Sequence, residues 1–273
     1  LESFESPAGV FKEKVNLFKY IDNKGLAAIN ADDVFLSRVE RGDFYKSVSF
    51  SISQEADVYA KSFLFSGDGT SFKLYCGSES IDIKIPQLGT FFIQDAVCAA
   101  ALAFGLGFSL EEIEAGLSNY NPPKMRMETI ILPSGAIFIN DAYNANPSSM
   151  KESIRTVCET YPQKEINLVL GDMLELGSKS AYYHKELGAF ADRFKLKSVY
   201  LIGAEMLAAK DEFKYCEARY FDDSGKLLDS LERANFNSKN AVFLFKSSRA
   251  VQLEKIVDCL IKGHSAAQTE FKF

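Results

Sequence analysis

The sequence has no tryptophan, only two histidines and only five cysteines in 273 residues. The cysteines are widely spaced and form no Cys-x-x-Cys pair, which argues against a disulfide framework or a zinc site and favours a reducing, cytoplasmic environment. No apolar run approaches the roughly 18 residues that a membrane-spanning helix needs. The 31 basic and 37 acidic residues give a net charge of −6, so a nucleic-acid partner is not expected, because the phosphate backbone selects a cationic surface.

The composition that remains is typical of two globular domains. Hydrophobic residues make up 47% of the chain, and its 23 phenylalanines and 12 tyrosines exclude a disordered chain. Domains of about 150 residues are common, so the length favours two of them. Asn121-Pro122-Pro123 stops a helix and forms a stiff joint. We therefore expect one domain at 1–121 and a second at 122–273.

The two halves differ in their pattern of elements. Residues 26–86 hold short β-like runs separated by glycine, aspartate and serine, and two helices follow, the second opened by the capping box Ser109-x-x-Glu112. After residue 122, continuous apolar strands alternate with helices, as in a sheet covered on both faces. This pattern predicts an α/β chain ending in a Rossmann-like parallel sheet. Its candidate strands are Ala136–Asn140, Ile166–Leu170, Ser198–Ile202, Arg219–Phe221 and Ala241–Phe245, and its last candidate helix is Val251–Ile261.

Polar segments follow four of these strands. Ligands of open α/β sheets bind at the carboxyl ends of the strands, and here those ends lead into Asp141–Pro147, Gly171–Gly177, Gly203–Glu205 and Lys246–Arg249. The two cations of the last segment would stand at a helix start, where the helix dipole disfavours positive charge. An anionic ligand is therefore the better explanation for them.

Each of these residues also has a purely structural interpretation. Asp141 and Asp172 could cap helices, and Asn146-Pro147 could be only a turn. Tyr143 could be a packing residue. His184 lies on a candidate helix, where a structural or surface position is favoured over a catalytic one.

Two long motifs resemble the Mur ligase family: Asp141-Ala-Tyr-Asn-Ala-Asn-Pro-Ser-Ser-Met150 and Leu170-Gly-Asp-Met-Leu-Glu-Leu-Gly177. The spacing His184-x-x-x-Gly188 and the segment Lys246-Ser-Ser-Arg249 agree with them, and the resemblance runs from Leu1 to about Leu260. It implies that 1–121 is the C-terminal part of a central ATP-binding domain and that 122–273 is a Rossmann-like C-terminal ligase domain.

The resemblance also implies parts that the printed sequence does not contain. The family has a first domain that binds a nucleotide sugar and a Gly-x-Gly-Lys-Thr/Ser phosphate loop, and no such loop occurs here. Leu1-Glu2-Ser3-Phe4 matches a family stretch that follows a metal-binding histidine. We therefore expect this chain to be a fragment that is inactive by itself.

The activity implied by the resemblance joins a carboxylate to an amine, using ATP and Mg²⁺, through an acyl phosphate. The motifs match the branch that adds D-alanyl-D-alanine to UDP-N-acetylmuramoyl-tripeptide. This reaction belongs to peptidoglycan precursor synthesis, and so to cell-wall biogenesis, cell shape and cell division. The implied protein is a cytoplasmic monomer with no nucleic-acid partner and no membrane insertion.

The resemblance assigns roles to ten residues. Lys14, as a carbamate, binds the second Mg²⁺, although it could instead be a solvated helix residue. Asp95 lies near the adenine, Arg126 neutralises phosphate charge, and Asp141 binds the ribose hydroxyls. The other roles are nucleotide contacts from Asn144 and Asn146 and a dipeptide or intermediate pocket lined by Tyr143, Lys246, Ser247 and Arg249. Lys14, Arg126 and Lys246 are the residues expected to be catalytic.

Four residues depart from the family pattern. Phe91 and Asp95 stand where the family often has His and Asn, so the amide donor of that Asn is lost. Met125 replaces the glycine of Pro-x-Gly-Arg, and Ser247 replaces the glycine of Lys-Gly-Ser-Arg. These changes affect single contacts rather than the resemblance as a whole.

Two other functions remain open from the sequence. One is a different branch of the same superfamily, such as a diaminopimelate- or lysine-adding Mur ligase or a folylpolyglutamate synthase. The other is a non-catalytic nucleotide-binding or scaffolding module. A Rossmann dehydrogenase is disfavoured, because no Gly-x-Gly-x-x-Gly follows any predicted strand.

Overall fold

A computed structural model describes residues 6–39, 45–234, 236 and 238–266 of the chain. The Leu1–Phe4 segment of the family resemblance lies outside these residues. Contacts divide the chain into two compact units, Leu1–Asn121 and Pro122–Phe273. In the part of the chain that the structure describes, no helix is both long enough and apolar enough to span a bilayer. Both units combine helices with a sheet, so the predicted α/β class is confirmed.

The first unit consists of a five-stranded sheet with helices. Its strands run in the order β1-β2-β3-β4-β5, parallel from β1 to β3 and antiparallel from β3 to β5. Four of the five predicted β-like runs lie within these strands, and the fifth, Ser47–Ser53, extends two residues beyond the end of β2. The first helix was not predicted. The elements are α1 Pro7–Val15, β1 Leu26–Asn30, β2 Lys46–Ser51, β3 Val58–Ser66, β4 Gly69–Cys76, β5 Glu79–Ile85, α2 Thr90–Gly105 and α3 Leu110–Ser118.

The α2 and α3 helices cover this sheet. The predicted capping box of α3 is confirmed: the Ser109 hydroxyl accepts the Glu112 N–H, and the Glu112 carboxylate accepts the Ser109 N–H. The alanine-rich sequence of α2 is apolar on most sides and predicts a buried helix, but this prediction is wrong, because only one face of α2 packs into the core. Leu102 and Phe104 on the other side are more than one-third exposed. The buried face of α2 consists of Ile93, Ala96, Val97, Ala100 and Ala101.

The second unit is a six-stranded sheet in the order β10-β9-β8-β11-β7-β6. Every neighbouring pair is parallel except β6 and β7, so the predicted Rossmann-like sheet is confirmed with an added antiparallel edge strand. Its elements are β6 Glu128–Ile131, β7 Ile137–Asp141, α4 Pro147–Thr160, β8 Glu165–Gly171, α5 Ser180–Ala191, β9 Ser198–Ile202, β10 Ala218–Phe221, α6 Ser224–Glu232, β11 Ala241–Lys246 and α7 Leu253–Ala266.

The centre of this sheet is buried on both faces. Every residue of β7 and β11 is buried, which explains their continuous apolar sequences. Phe138 contacts Phe243 and Phe245 of the neighbouring strand, with ring centroids 5.6 and 5.0 Å apart. Aromatic contacts of this kind add to the stabilisation from buried area alone. The rigid central strands β7, β8 and β11 therefore fix the positions of the loops that follow them.

Candidate active site

The predicted site residues of the second unit gather where three neighbouring strands end. Strands β7, β8 and β11 lie side by side and parallel, so Asp141, Gly171 and Lys246 end them on one edge of the sheet. The register places Lys246 directly beside Asp141, although 105 residues separate them in sequence. We call this edge the carboxyl rim. It is the position at which open α/β sheets bind their ligands.

A buried ion pair lies at the centre of the carboxyl rim. The Lys246 Nζ is 2.6 Å from Asp141 Oδ2, and their side chains are only 3% and 10% exposed. The same ammonium donates to the carbonyl oxygen of Asn144 at 3.1 Å. The prediction that Lys246 stands at a helix start, where an anionic ligand would explain its charge, is therefore wrong. The cation ends a strand, its charge is neutralised by Asp141, and α7 begins only at Leu253.

Asp141 makes two further hydrogen bonds. Its Oδ1 accepts the Met127 N–H at 3.2 Å, and its Oδ2 accepts the Ser153 hydroxyl at 2.7 Å. A carboxylate can accept about four hydrogen bonds, so three of its positions are already used inside the unit. Asp141 does not cap α4, because the cap residue of that helix is Asn146.

The sequence analysis missed Ser153 and Met127 as partners of the rim. A signal for Ser153 exists: it lies on the buried face of α4 between Met150 and Val157, where a hydroxyl needs a partner. No sequence signal marks Met127, because it acts through its backbone N–H.

Arg126 is displayed on an unusual backbone segment. The residues on either side, Met125 and Met127, have φ values of 61° and 49°, a left-handed conformation that favours glycine. The exposed Arg126 guanidinium lies over the Tyr143 ring, 4.2 Å from its centroid, within cation–π range. Tyr143 is 45% exposed, so it is not a core packing residue. Its aromatic face and the guanidinium form a surface to which a planar or anionic ligand can bind.

The two predicted asparagines have local partners. Asn146 and Ser149 form a reciprocal capping box at the start of α4, with bonds of 2.9 and 3.1 Å. Asn146 therefore has a structural role, as the cap of α4 rather than as only a turn, and its side chain is also exposed. The Asn144 side-chain oxygen accepts the Ala145 N–H, and Asn144 too is exposed at the rim.

Ser247 and Arg249 differ sharply in exposure. Ser247 is completely buried, and its hydroxyl has no hydrogen-bond partner among the described residues. Its burial argues against the predicted contact with substrate. The Arg249 side chain is 55% exposed and pairs with Glu254 at 3.1 Å, so a cation is accessible there. Its guanidinium also contacts the Met125 sulfur at 2.9 Å.

Ser248, to which the sequence analysis gave no role, connects the loops of the carboxyl rim. Its Oγ accepts the Leu174 N–H at 2.9 Å, and its own N–H donates to the Asp172 carbonyl at 2.9 Å. A longer contact of 3.5 Å joins the same hydroxyl to the Ala145 carbonyl. These bonds tie the segment after β11 to the segments after β7 and β8.

Asp172 and His184 support the loop after β8. The Asp172 carboxylate accepts the Met206 N–H at 2.8 Å, at the start of the short helix Glu205–Glu212, so it has a structural role there, although the cap residue of that helix is Ala204. Burial raises the pKa of Asp172 above its usual value, against the opposing effect of that bond. The fully buried His184 accepts the Met173 N–H on Nε2 at 3.0 Å and bonds the Ser180 carbonyl through Nδ1 at 2.8 Å. His184 is thus a structural residue, as the sequence analysis favoured.

The other two predicted site residues belong to the first unit. Lys14 is exposed in the last turn of α1, and Asp95 is exposed on α2. Within the described residues, no group of three or more histidine, cysteine, aspartate or glutamate side chains could hold a metal ion. These residues do not by themselves supply the oxygen ligands that a Mg²⁺ site needs.

Asp32, which follows β1, is a structural residue. Its carboxylate accepts the Ser51 hydroxyl at 2.6 Å, the Ile52 N–H at 2.7 Å and the Ser53 hydroxyl. These bonds join the end of β1 to the end of β2. Asp32 therefore has its partners within the first unit.

Comparisons with known proteins agree with this geometry. The Mur ligase middle domain family matches residues 1–103, and the family described as Mur ligase, glutamate ligase domain matches residues 125–249. A curated relative is the UDP-N-acetylmuramoyl-tripeptide–D-alanyl-D-alanine ligase of Buchnera aphidicola subsp. Baizongia pistaciae. It is 32% identical over 268 residues, which cover 98% of this chain and 57% of that relative.

Solved structures have the same fold. MurF from Acinetobacter baumannii is 27% identical, with a TM-score of 0.82 over 95% of this chain and 56% of that one. The MurF ligase from Thermotoga maritima in complex with ADP has a TM-score of 0.83 at 22% identity, over 97% of this chain and 59% of that one. The chain thus spans just over half the length of the relatives that it matches. It belongs to the Mur ligase family, and it matches the middle and C-terminal domains of that family over residues 1–103 and 125–249.

Proposed function

We propose that this chain is part of an ATP-dependent ligase that adds D-alanyl-D-alanine to UDP-N-acetylmuramoyl-tripeptide in peptidoglycan precursor synthesis. The observation that carries the proposal is the similarity to ligases of that name along nearly the whole chain, at 32% identity for the Buchnera relative. The polar carboxyl rim supports it, because the residues that end β7 and β11 lie where a sheet of this kind binds a nucleotide.

The proposed chemistry activates a carboxylate, which is a poor electrophile. A carboxylate oxygen of the tripeptide attacks the γ-phosphorus of ATP, giving an acyl phosphate and ADP. The amine of the dipeptide then attacks the acyl carbon, the tetrahedral intermediate expels inorganic phosphate, and the nitrogen loses a proton. The negative charge that develops on the phosphoryl oxygens needs cationic partners.

Arg126 is the side chain best placed for this task in the second unit. It is exposed and oriented over Tyr143, so it can bind phosphate oxygens in pairs with its planar guanidinium. The exposed ring of Tyr143 offers a face for a base or a substrate group. Arg249 is the second accessible cation of the rim, and we propose that it faces the carboxylate of the dipeptide.

Asp141, Asn144 and Asn146 are proposed to lie beside the ribose. Asp141 has at most one free acceptor position, so it can take one ribose hydroxyl without losing its present bonds. Asn144 and Asn146 keep their side-chain NH₂ groups for a ligand, because their carbonyl oxygens accept local N–H groups.

The Mg²⁺ of the proposed reaction needs oxygen ligands, and the residues that the structure describes do not gather enough of them in one cluster. Lys14 would supply a carbamate oxygen, and Asp95 would approach the adenine, but both are exposed and neither lies in a cluster of metal ligands within the described residues. The proposed protein is a monomer, and its nucleotide-linked substrates favour the cytoplasm.

A ligation assay with the complete reading frame that contains this chain tests the proposal. Phosphate release from ATP is measured with UDP-N-acetylmuramoyl-tripeptide and a panel of amines: D-alanyl-D-alanine, diaminopimelate, lysine and glutamate. We expect release only with the dipeptide. Preference for a single amino acid would instead support another branch of the superfamily, and nucleotide binding without any ligation would support a non-catalytic module.

A further inference from the structure

The segment Met125–Met127, which we call the arch, holds Arg126 in a conformation that its sequence does not favour. Both methionines have positive φ, where a side chain with a Cβ is strained. Such a conformation persists only where the surrounding structure imposes it. The arch therefore needs contacts that hold it, and their loss would let Arg126 leave its position over Tyr143.

Three backbone hydrogen bonds hold the arch. The Met127 N–H donates to Asp141 Oδ1 at 3.2 Å, and the Met125 N–H donates to Glu128 Oε2 at 3.0 Å. The Met125 carbonyl accepts the Tyr143 N–H at 3.2 Å. Only the first of these bonds connects the arch to a buried charge.

That buried charge is itself held by Lys246. The Lys246 ammonium lies 2.6 Å from Asp141 Oδ2, whereas the Met127 N–H donates to the other oxygen of the same carboxylate, Oδ1. Its side chain is 3% exposed, so its charge faces Asp141 and the Asn144 carbonyl rather than a bound substrate. Without this cation, Asp141 would be a buried carboxylate with no opposite charge at this distance, which is costly.

We propose that Lys246 is a positioning residue: through Asp141 it fixes the arch that presents Arg126 to the phosphates of the nucleotide. The proposal rests on the proposed function for the role of Arg126, but the coupling between Lys246 and the arch can be tested without it. It replaces the expectation that Lys246 lines the dipeptide pocket. In this account the lysine acts on nucleotide binding without touching the ligand.

The five methionines of the chain provide a direct test. All of them lie in the second unit: Met125 and Met127 belong to the arch, and Met150, Met173 and Met206 are completely buried in the core. Methyl-labelled methionine therefore gives two NMR signals for the arch and three for the integrity of the fold. In Lys246→Met we expect both arch signals to move and the three core signals to stay, once the new methionine has been assigned. The control is Lys255→Met, which removes an exposed lysine of α7 and should leave all five signals in place.

Wild-type positions for the arch signals in Lys246→Met would overturn the proposal. If that variant does not fold, the same signals are measured in the double variant Asp141→Asn/Lys246→Met. This variant removes both charges, so it leaves no unpaired buried charge. Arch signals that move in this folded double variant support the coupling, and arch signals that stay contradict it. Loss of the core signals in both variants also contradicts it, since the pair would then be a requirement for folding rather than for positioning.

ATP affinity gives a second, independent readout in the complete protein. If Lys246 acts through Arg126, Lys246→Met and Arg126→Met should each weaken ATP binding about tenfold, and the double variant should be no weaker than either. Additive losses would mean that Lys246 touches the nucleotide or acts by another route, which contradicts the proposal. An Arg126→Met variant with normal ATP affinity would instead refute the proposed role of Arg126, while the NMR result on the coupling would still stand.

Discussion

Ser247 shows how closely the carboxyl rim is packed at the scale of single residues. A Cβ added to Gly171 would lie 2.7 Å from the Ser247 Cβ, so the two strand ends touch at this point. The Ser247 hydroxyl is buried there without a partner among the described residues. The family pattern has glycine at this position, and the serine thus adds a polar group that the site does not satisfy.

We expect Ser247→Ala to stabilise the second unit. Removing a buried hydroxyl that lacks a partner should raise the free energy of unfolding by about 1 kcal/mol. The matched control is Ser248→Ala, which removes a hydroxyl that accepts the Leu174 N–H and should lower the same quantity by about 1 kcal/mol. Urea denaturation of the three proteins measures both changes. Destabilisation by Ser247→Ala would show that the hydroxyl has a partner, such as an ordered water.

The sequence could not reveal this difference between neighbouring serines. Both follow the same strand and both belong to one motif. The orientations of the two side chains depend on contacts with Gly171 and Leu174, respectively. Both of these residues belong to the end of β8 and the loop after it, not to β11. The same holds for Lys246, whose charge could be judged only once Asp141 was known to lie beside it.

Asp32 illustrates how elements are joined in the first unit. Burial acts to raise the pKa of Asp32, but hydrogen bonds from Ser51, Ser53 and the Ile52 N–H outweigh it and lower the pKa below the ordinary value of 3.8. Because the folded-state pKa is the lower one, the carboxylate stabilises the folded state fully above the unfolded pKa. That contribution is lost as the pH falls through the folded pKa.

The first unit should therefore lose stability as the pH falls below about 4. In Asp32→Asn this loss should be smaller, since the titrating group is gone, while stability at neutral pH should be lower because the carboxylate bonds are gone. Thermal unfolding between pH 7 and pH 2.5 measures both effects. The control is Asp82→Asn, which removes a mostly exposed carboxylate 3.5 Å from Lys73 and should leave the acid-induced loss unchanged. An Asp32→Asn protein with the wild-type pH profile would contradict this role.

Elements with strong local patterns could be predicted from the sequence, and those without could not. The strands of the second unit are continuous apolar runs, and α3 begins with a capping box, so both were predictable. Strand β6 was not predicted, because only two of its four residues, Ile130 and Ile131, are apolar, so the strand is not a continuous apolar run. The start of α7 was predicted two residues early, because the short helical turn Arg249–Val251 precedes it and Gln252 has a φ of 57°.

At the scale of the whole molecule, the family and the gathering of the predicted residues at one edge of the sheet followed from the sequence, whereas the surroundings of individual residues did not. The motifs after β7 and β11 could be placed on one edge because parallel strands bring their carboxyl ends together. The sequence does not show how exposed an individual side chain is. It therefore could not separate exposed Arg126 and Tyr143 from the enclosed pair Asp141 and Lys246.

The central claim is that the carboxyl rim of the second unit binds the nucleotide. The most direct measurement is an ATP titration of this chain, up to millimolar concentration, followed by the methionine methyl signals. We expect the Met125 signal to shift in a saturable manner, because that residue adjoins both Arg126 and Arg249, while the signals of buried Met150 and Met206 stay in place. The shift should disappear in Arg126→Met. Saturable binding of ATP that leaves the Met125 signal unchanged would place the nucleotide elsewhere and contradict the account.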